Sequence, residues 1–225
     1  MNTFRDYTEL EDTIVDWMDR QDIRDKIPAF IRLVTVDSSR ELRIPTMENT
    51  VILPMYADGT SIIPGDLIET ISVNYLSIDT DGTVQERTTL NRASLHEYNN
   101  SREGEGSEAV PDSFATSKNM FKVFPLPYSK DTVVNYRATN KTIIGHIEVT
   151  YYVLPTTINE PDEDNWILEI SPEIYFYGGM MHSYRYVRDY ESAGFWEDKY
   201  NKAIQKLQGS VNIAEWAGGP IVVGC

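Results

Sequence analysis

Apolar residues along the chain keep two different rhythms, one at each end and another in the middle. Leu10, Ile14, Trp17 and Met18 recur at helical spacing, and Ile23, Ile27, Phe30, Ile31 and Val34 repeat the pattern after the polar break Arg20-Gln21. The spacing predicts two amphipathic helices, each with an apolar stripe that needs a cover. Pro28 is tolerated in a first helical turn, where its missing N–H has no helical acceptor to lose, which places the second start near Asp22 to Asp25. Pro45 closes this zone, residues 1–46.

From Met47 to Ile158 the period drops to two, with β-branched residues and turn signals between short runs. Strands are expected at Thr50–Leu53, Ser61–Pro64, Ile68–Ile78, Thr83–Gln85, Phe121–Phe124, Thr132–Tyr136 and Ile147–Val153. Asp79-Thr80-Asp81-Gly82 stands where a hairpin turn belongs. Asn99 to Ser117, rich in Asn, Ser, Glu and Gly, reads as an exposed loop.

Helical periodicity returns after the acidic run Asn159 to Asp164. Asp164 suits the N-cap of a short helix through Ile170, and Ser171-Pro172-Glu173 starts another with a cap, a proline at the first position and an acid in the positive first turn. Ile174, Tyr177, Met181 and Tyr184 share a face; Trp196, Tyr200, Ala203, Ile204 and Leu207 form a further stripe, ending at Gly209, a residue suited to the position after a helix. The reading is an α+β fold: a helical bundle built from residues 1–46 and 159–208, an inserted, protruding antiparallel β region at 47–158, and an extended tail at 209–225.

Composition narrows the function. Thirty-five acidic against 20 basic side chains give a net charge of -15, which disfavours capture of nucleic acid or anionic membranes. The single cysteine, Cys225, has no intramolecular partner, so folding in a reducing cytoplasm is expected. No signal-peptide pattern opens the chain, and no apolar run approaches the roughly 20 residues that span a bilayer, so neither secretion nor membrane insertion is expected.

Catalytic signatures are wanting. His96, His146 and His182 have no second ligand at the spacing of a zinc site, and no nucleophile elbow, phosphate-binding loop or dinucleotide fingerprint occurs. Asp79-x-Asp81-Gly82 opens like a calcium loop but fails its later register. The carboxylates at Glu160 to Asp164 are solvated acids favoured at a helix start rather than an acid–base pair. No metal, cofactor or catalytic residue is expected.

Gly178-Gly179 costs a helix about 1 kcal/mol per glycine, which makes sense if another backbone approaches there. The aromatic series from Tyr175 to Trp196 reads as core or subunit contact. Val211, Ile213, Trp216, Pro220, Ile221, Val222 and Val223 make a terminal segment too apolar for a free tail, so docking onto another subunit is expected, with folding back onto the chain's own bundle as the alternative.

The string Asn165-Trp166-Ile167-Leu168-Glu169-Ile170-Ser171-Pro172-Glu173-Ile174-Tyr175-Phe176-Tyr177-Gly178-Gly179-Met180, then Trp196 to Tyr200 and Ile204 to Leu207, resembles the C-terminal signature of the head-to-tail adaptor, or connector, family of short-tailed phages. Ile63-Pro64-Gly65-Asp66-Leu67-Ile68 and the helix pair between Leu10 and Leu42 are similar to earlier parts of that family. The resemblance implies a structural, non-catalytic subunit of the virion head–tail junction, assembled in the host cytoplasm. It implies a homo-oligomeric ring of about twelve copies between the portal protein and a tail tube or nozzle protein, with genomic double-stranded DNA passing through unbound. It also implies portal docking by the terminal segment, and packing roles for Asn165, Trp166, Pro172, Tyr175, Tyr177, Gly178, Gly179, Trp196, Tyr200 and Leu207. Two alternatives from other classes are a ligand-binding module with a small β-barrel pocket, and an enzyme using unrecognised carboxylate chemistry.

Overall fold

The computed structural model describes residues 6–78, 84–102, 109–127, 134–136, 141–156, 158 and 165–217. In chain order the elements are α1 (Tyr7–Met18), α2 (Ile27–Glu41), β1 (Glu48–Tyr56), β2 (Thr60–Ile62), β3 (Leu67–Ile78), β4 (Val84–Thr89), β5 (Asn91–Arg92), α3 (Leu95–Arg102), β6 (Ser113–Ser117), β7 (Met120–Phe124), β8 (Val134–Tyr136), β9 (Lys141–Val153), α4 (Trp166–Ile170), α5 (Pro172–Tyr186) and α6 (Tyr190–Ala217). The fold is mixed α+β. It divides into a helical unit, residues 1–47 with 154–225, and a β unit, residues 48–153.

In the helical unit, α1 starts where Asp6, in an extended conformation, accepts a hydrogen bond from the Glu9 N–H at 2.9 Å. It stops at Asp19, whose N–H still reaches the Asp16 carbonyl and whose left-handed φ of 51° turns the following Arg20 N–H back onto the Val15 carbonyl. Leu10, Ile14, Val15 and Met18 are buried, but Trp17, read from the spacing as part of the same stripe, is 61% exposed. One residue is 100° of helix, enough to carry an indole from the edge of a buried stripe to its rim.

The second helix begins later than the pattern suggests. Gln21–Lys26 forms a 3-10 turn and α2 starts at Ile27, with Pro28 in its first turn. α4 is capped by Asn165 rather than Asp164, which lies outside the described residues. α5 is the most enclosed helix: Ile174, Tyr175, Phe176, Met180 and Met181 are all buried. α6 does not end at Gly209 but runs through to Ala217, so residues 209–217 begin as helix rather than as extended chain. One glycine costs a helix about 1 kcal/mol, too little to stop it when good formers follow.

The β unit holds two sheets. The first has the order β1-β9-β3-β4 with antiparallel neighbours, β8 also pairing with β9; the second has the order β2-β7-β6-β5. Along β9 the alternation expected from sequence is the alternation of burial: Ile147, Val149 and Tyr151 point into a core with Met55, Val73 and Tyr75. The second sheet adds Phe114, Phe121 and Val123 to that cluster.

Asp79–Gly82, read as a turn, lies outside the described residues, while β3 and β4 pair antiparallel as hairpin arms do. Asn99–Ser117 is not one loop. Its first residues finish α3 and its last form β6. α3 is started by a capping box, Glu97 Oε2 accepting from the Ser94 N–H at 2.7 Å and Ser94 Oγ from the Glu97 N–H at 3.2 Å.

Candidate functional site

Asn165, Tyr175 and Thr35 bind the two chain ends of the helical unit together. Asn165 Oδ1 accepts from the N–H groups of Ile167 and Leu168, capping α4, while its amide nitrogen donates to Thr156 O at 2.8 Å and to the Tyr175 hydroxyl at 2.6 Å. Thr35 Oγ1 lies 3.1 Å from Ile31 O and 3.0 Å from Tyr175 Oη. The proton order that satisfies every atom has Asn165 donating to Tyr175, Tyr175 to Thr35 and Thr35 to Ile31. Tyr175 is fully buried, and burial raises its phenol above the ordinary value, opposed by the bonds to Thr35 and Asn165.

Beside this knot sits the glycine pair. A methyl group on Gly178 would stand 2.6 and 2.8 Å from the two Cγ atoms of Val34, and one on Gly179 would stand 2.6 Å from Ile14 Cδ1. Side chains from α2 and α1 fill the notch, not a second backbone. Tyr200 on α6 packs against the same glycine, 3.3 Å from that methyl position.

Charge gathers one turn away. His182 Nε2 lies 3.1 Å from Asp37 Oδ2, and Arg185 pairs with Glu197 at 2.9 Å. Burial pushes the His182 imidazole below its ordinary value, against the opposing pull of Asp37. The Tyr200 hydroxyl is buried and meets no hydrogen-bond partner among the described residues, and burial, then Glu41 and Asp37, raise it. Nothing in this arrangement pairs a nucleophile with a base. Among the described residues no group of three or more His, Cys, Asp or Glu side chains is placed to hold a metal ion, and no helix is long and apolar enough to cross a membrane.

An aromatic seam completes the site. Trp196 on α6 has ring centroids at 5.6 Å from Phe176, 5.8 Å from Tyr177, 5.8 Å from Trp17 and 5.3 Å from Phe195. Trp17 and Phe195 are the exposed members, while Trp196 and Phe176 are buried. The rings that sequence spacing left open as core or subunit contact divide accordingly, with Tyr186 and Tyr190 also exposed.

The residues singled out in the sequence therefore have different fates. Asn165 caps α4, whose first residue is Trp166; Pro172 opens α5; and Tyr175, Gly178, Gly179, Trp196, Tyr200 and Leu207 are buried, with Tyr177 half-buried. Val211, Ile213 and Trp216 fall on the last turns of α6, and Pro220, Ile221, Val222 and Val223 lie outside the described residues. Sequence reading missed Thr35 and the Asp37–His182 pair, whose partners come from opposite ends of the chain.

Compared with known proteins, the chain gives two results. The family whose sequence model matches is described as SU10 adaptor protein, and the match covers residues 5–224. No curated protein matches the chain.

Proposed function

Because the chain belongs to the SU10 adaptor protein family, we propose that it is a non-catalytic structural subunit of the head-to-tail connector of a tailed bacteriophage. Copies of it, about twelve by analogy with related rings, stand between the portal and the tail tube or nozzle and carry the DNA channel onward. The family match across residues 5–224 is the observation that carries this reading.

The charge supports it. A wall that duplex DNA must pass has to repel phosphates rather than hold them, and a subunit charge of -15 does so. The β unit meets the next tail component. The segment from Val211 to Cys225 docks on the portal, its first residues delivered on α6.

The test is electron microscopy of the purified chain mixed with portal particles. Stacked rings are expected at the portal vertex, and their absence would overturn the reading. Removing residues 211–225 should leave a folded protein that no longer joins portals; joining that survives the deletion would take the terminal segment out of the mechanism. The particle is the expected site of action, at its head–tail junction after assembly in the host cytoplasm.

A further inference from the structure

Charge along two helices of the helical unit is segregated. α1 carries Glu9, Glu11, Asp12 and Asp16 and no basic residue; α6 has its acids Glu191, Glu197 and Asp198 in its first turns, and from Lys199 to Ser210 its charged residues are Lys199, Lys202 and Lys206. Glu9, Asp12, Asp16 and the three lysines are exposed. The two stripes share one spacing, steps of three and then four residues, so each runs along one helix face for about 10 Å. Asp12 already has a local partner in Arg24 at 2.6 Å.

Next to each stripe stands an exposed ring. Trp17, 61% exposed, follows Asp16 directly, and Phe195, 56% exposed, lies one turn before Lys199. Laid antiparallel, the stripes of two copies place Asp16 against Lys199, Asp12 against Lys202 and Glu9 against Lys206. The same register sets the Trp17 of one copy beside the Phe195 of the other. On a chain of charge -15, a stretch of helix holding lysines and no acid is where the acids of a second copy can approach without repulsion.

We propose that the α1 face of one copy docks on the α6 face of another, carboxylates on lysines, with Trp17 and Phe195 buried at the contact. Large rings withdrawn from water supply most of the affinity, and the charges set partner and register. The contact itself needs only two copies; its closure into a ring rests on the connector reading.

Charge exchange tests it. In sedimentation the native chain should self-associate, and about 1 M salt should weaken the association without abolishing it, because it screens the charges and not the buried rings. Lys202→Glu with Lys206→Glu should be monomeric, as should Glu9→Lys with Asp16→Lys, while an equimolar mixture of the two variants should associate again. Trp17→Ala with Phe195→Ala, which leaves every charge in place, should also abolish association and serves if a charge variant misfolds. A native chain that stays monomeric, variants that associate like it, or a mixture of folded variants no better than its parts would overturn the proposal. Portal capture is scored separately: capture without self-association sinks only this contact, and self-association without capture sinks only the connector reading.

Discussion

The helical unit and the β unit place their polar groups in opposite ways. In the helical unit a fully buried hydroxyl, Tyr175, joins Thr35, 140 positions away, to the Asn165 amide, and each donor of that network finds an acceptor within it. In the β unit the core cluster is aliphatic and aromatic, Thr60 and Ser61 being the buried polar residues among those described, and the cross-strand polar pairs lie at the surface or part-buried: Thr50 with Thr150, Asn74 with Glu148, Arg87 with Glu148. A buried network holds only when complete, because each orphaned group loses both its partner and water; a surface ladder can fall back on solvent. The helical unit should therefore be the brittle one. It is also the one that needs both ends of the chain.

All four tryptophans, Trp17, Trp166, Trp196 and Trp216, lie in the helical unit, so their emission follows that unit selectively. Asn165→Ala should give the largest effect, about 3 kcal/mol by denaturation followed at tryptophan, since it strips the α4 cap and unpairs Tyr175 and Thr156 O together. A cost below about 1 kcal/mol would show that the network is not what binds the chain ends. Gly178→Ala should follow at about 2 kcal/mol: the new methyl meets both Cγ atoms of a β-branched valine, which outweighs the gain in helix propensity. Gly179→Ala should cost less than about 1 kcal/mol, because only the mobile end of Ile14 has to yield.

That contrast also explains what the sequence discloses. The change of period separates helices from strands, and the alternation along β9 marks which of its side chains enter the core, because burial acts directly on every second residue. Pro172 opens a helix where local chemistry requires it. The extent of α6 is not legible, because one glycine is a weak signal against the residues around it. Nor are the partners of Tyr175 or Gly178. No local pattern says that position 175 will meet position 35, or that a glycine pair is a seat for Val34 and Ile14. The Ser94-x-x-Glu97 capping box, by contrast, is legible in full from four consecutive residues just ahead of the polar stretch, and it marks the start of α3.

Acid should separate the units next. Burial lowers both His182 in the helical unit and His146 in the β unit, so each is held neutral by folding. The stability this contributes is complete above the ordinary imidazole value of about 6.5 and is lost as pH falls below it. His182→Gln should flatten the acid slope reported by tryptophan and leave that of the β unit unchanged; a slope unaltered in both would assign the acid loss elsewhere.

Arg87→Ala should give the smallest effect and is the sharpest check on the contrast. The guanidinium is 57% exposed and pairs with Glu148 at 2.8 Å on the sheet surface, a setting in which an ion pair contributes below about 1 kcal/mol. Glu148, although only 13% exposed, keeps the hydrogen bond from Asn74 and can recruit water on the side that Arg87 leaves. The expected result in near-ultraviolet dichroism of the β-unit tyrosines is a loss within that range and an unchanged tryptophan transition. If the loss equalled that of Asn165→Ala, exposure would not be what makes one polar network forgiving and the other brittle, and the two units would be stabilised alike.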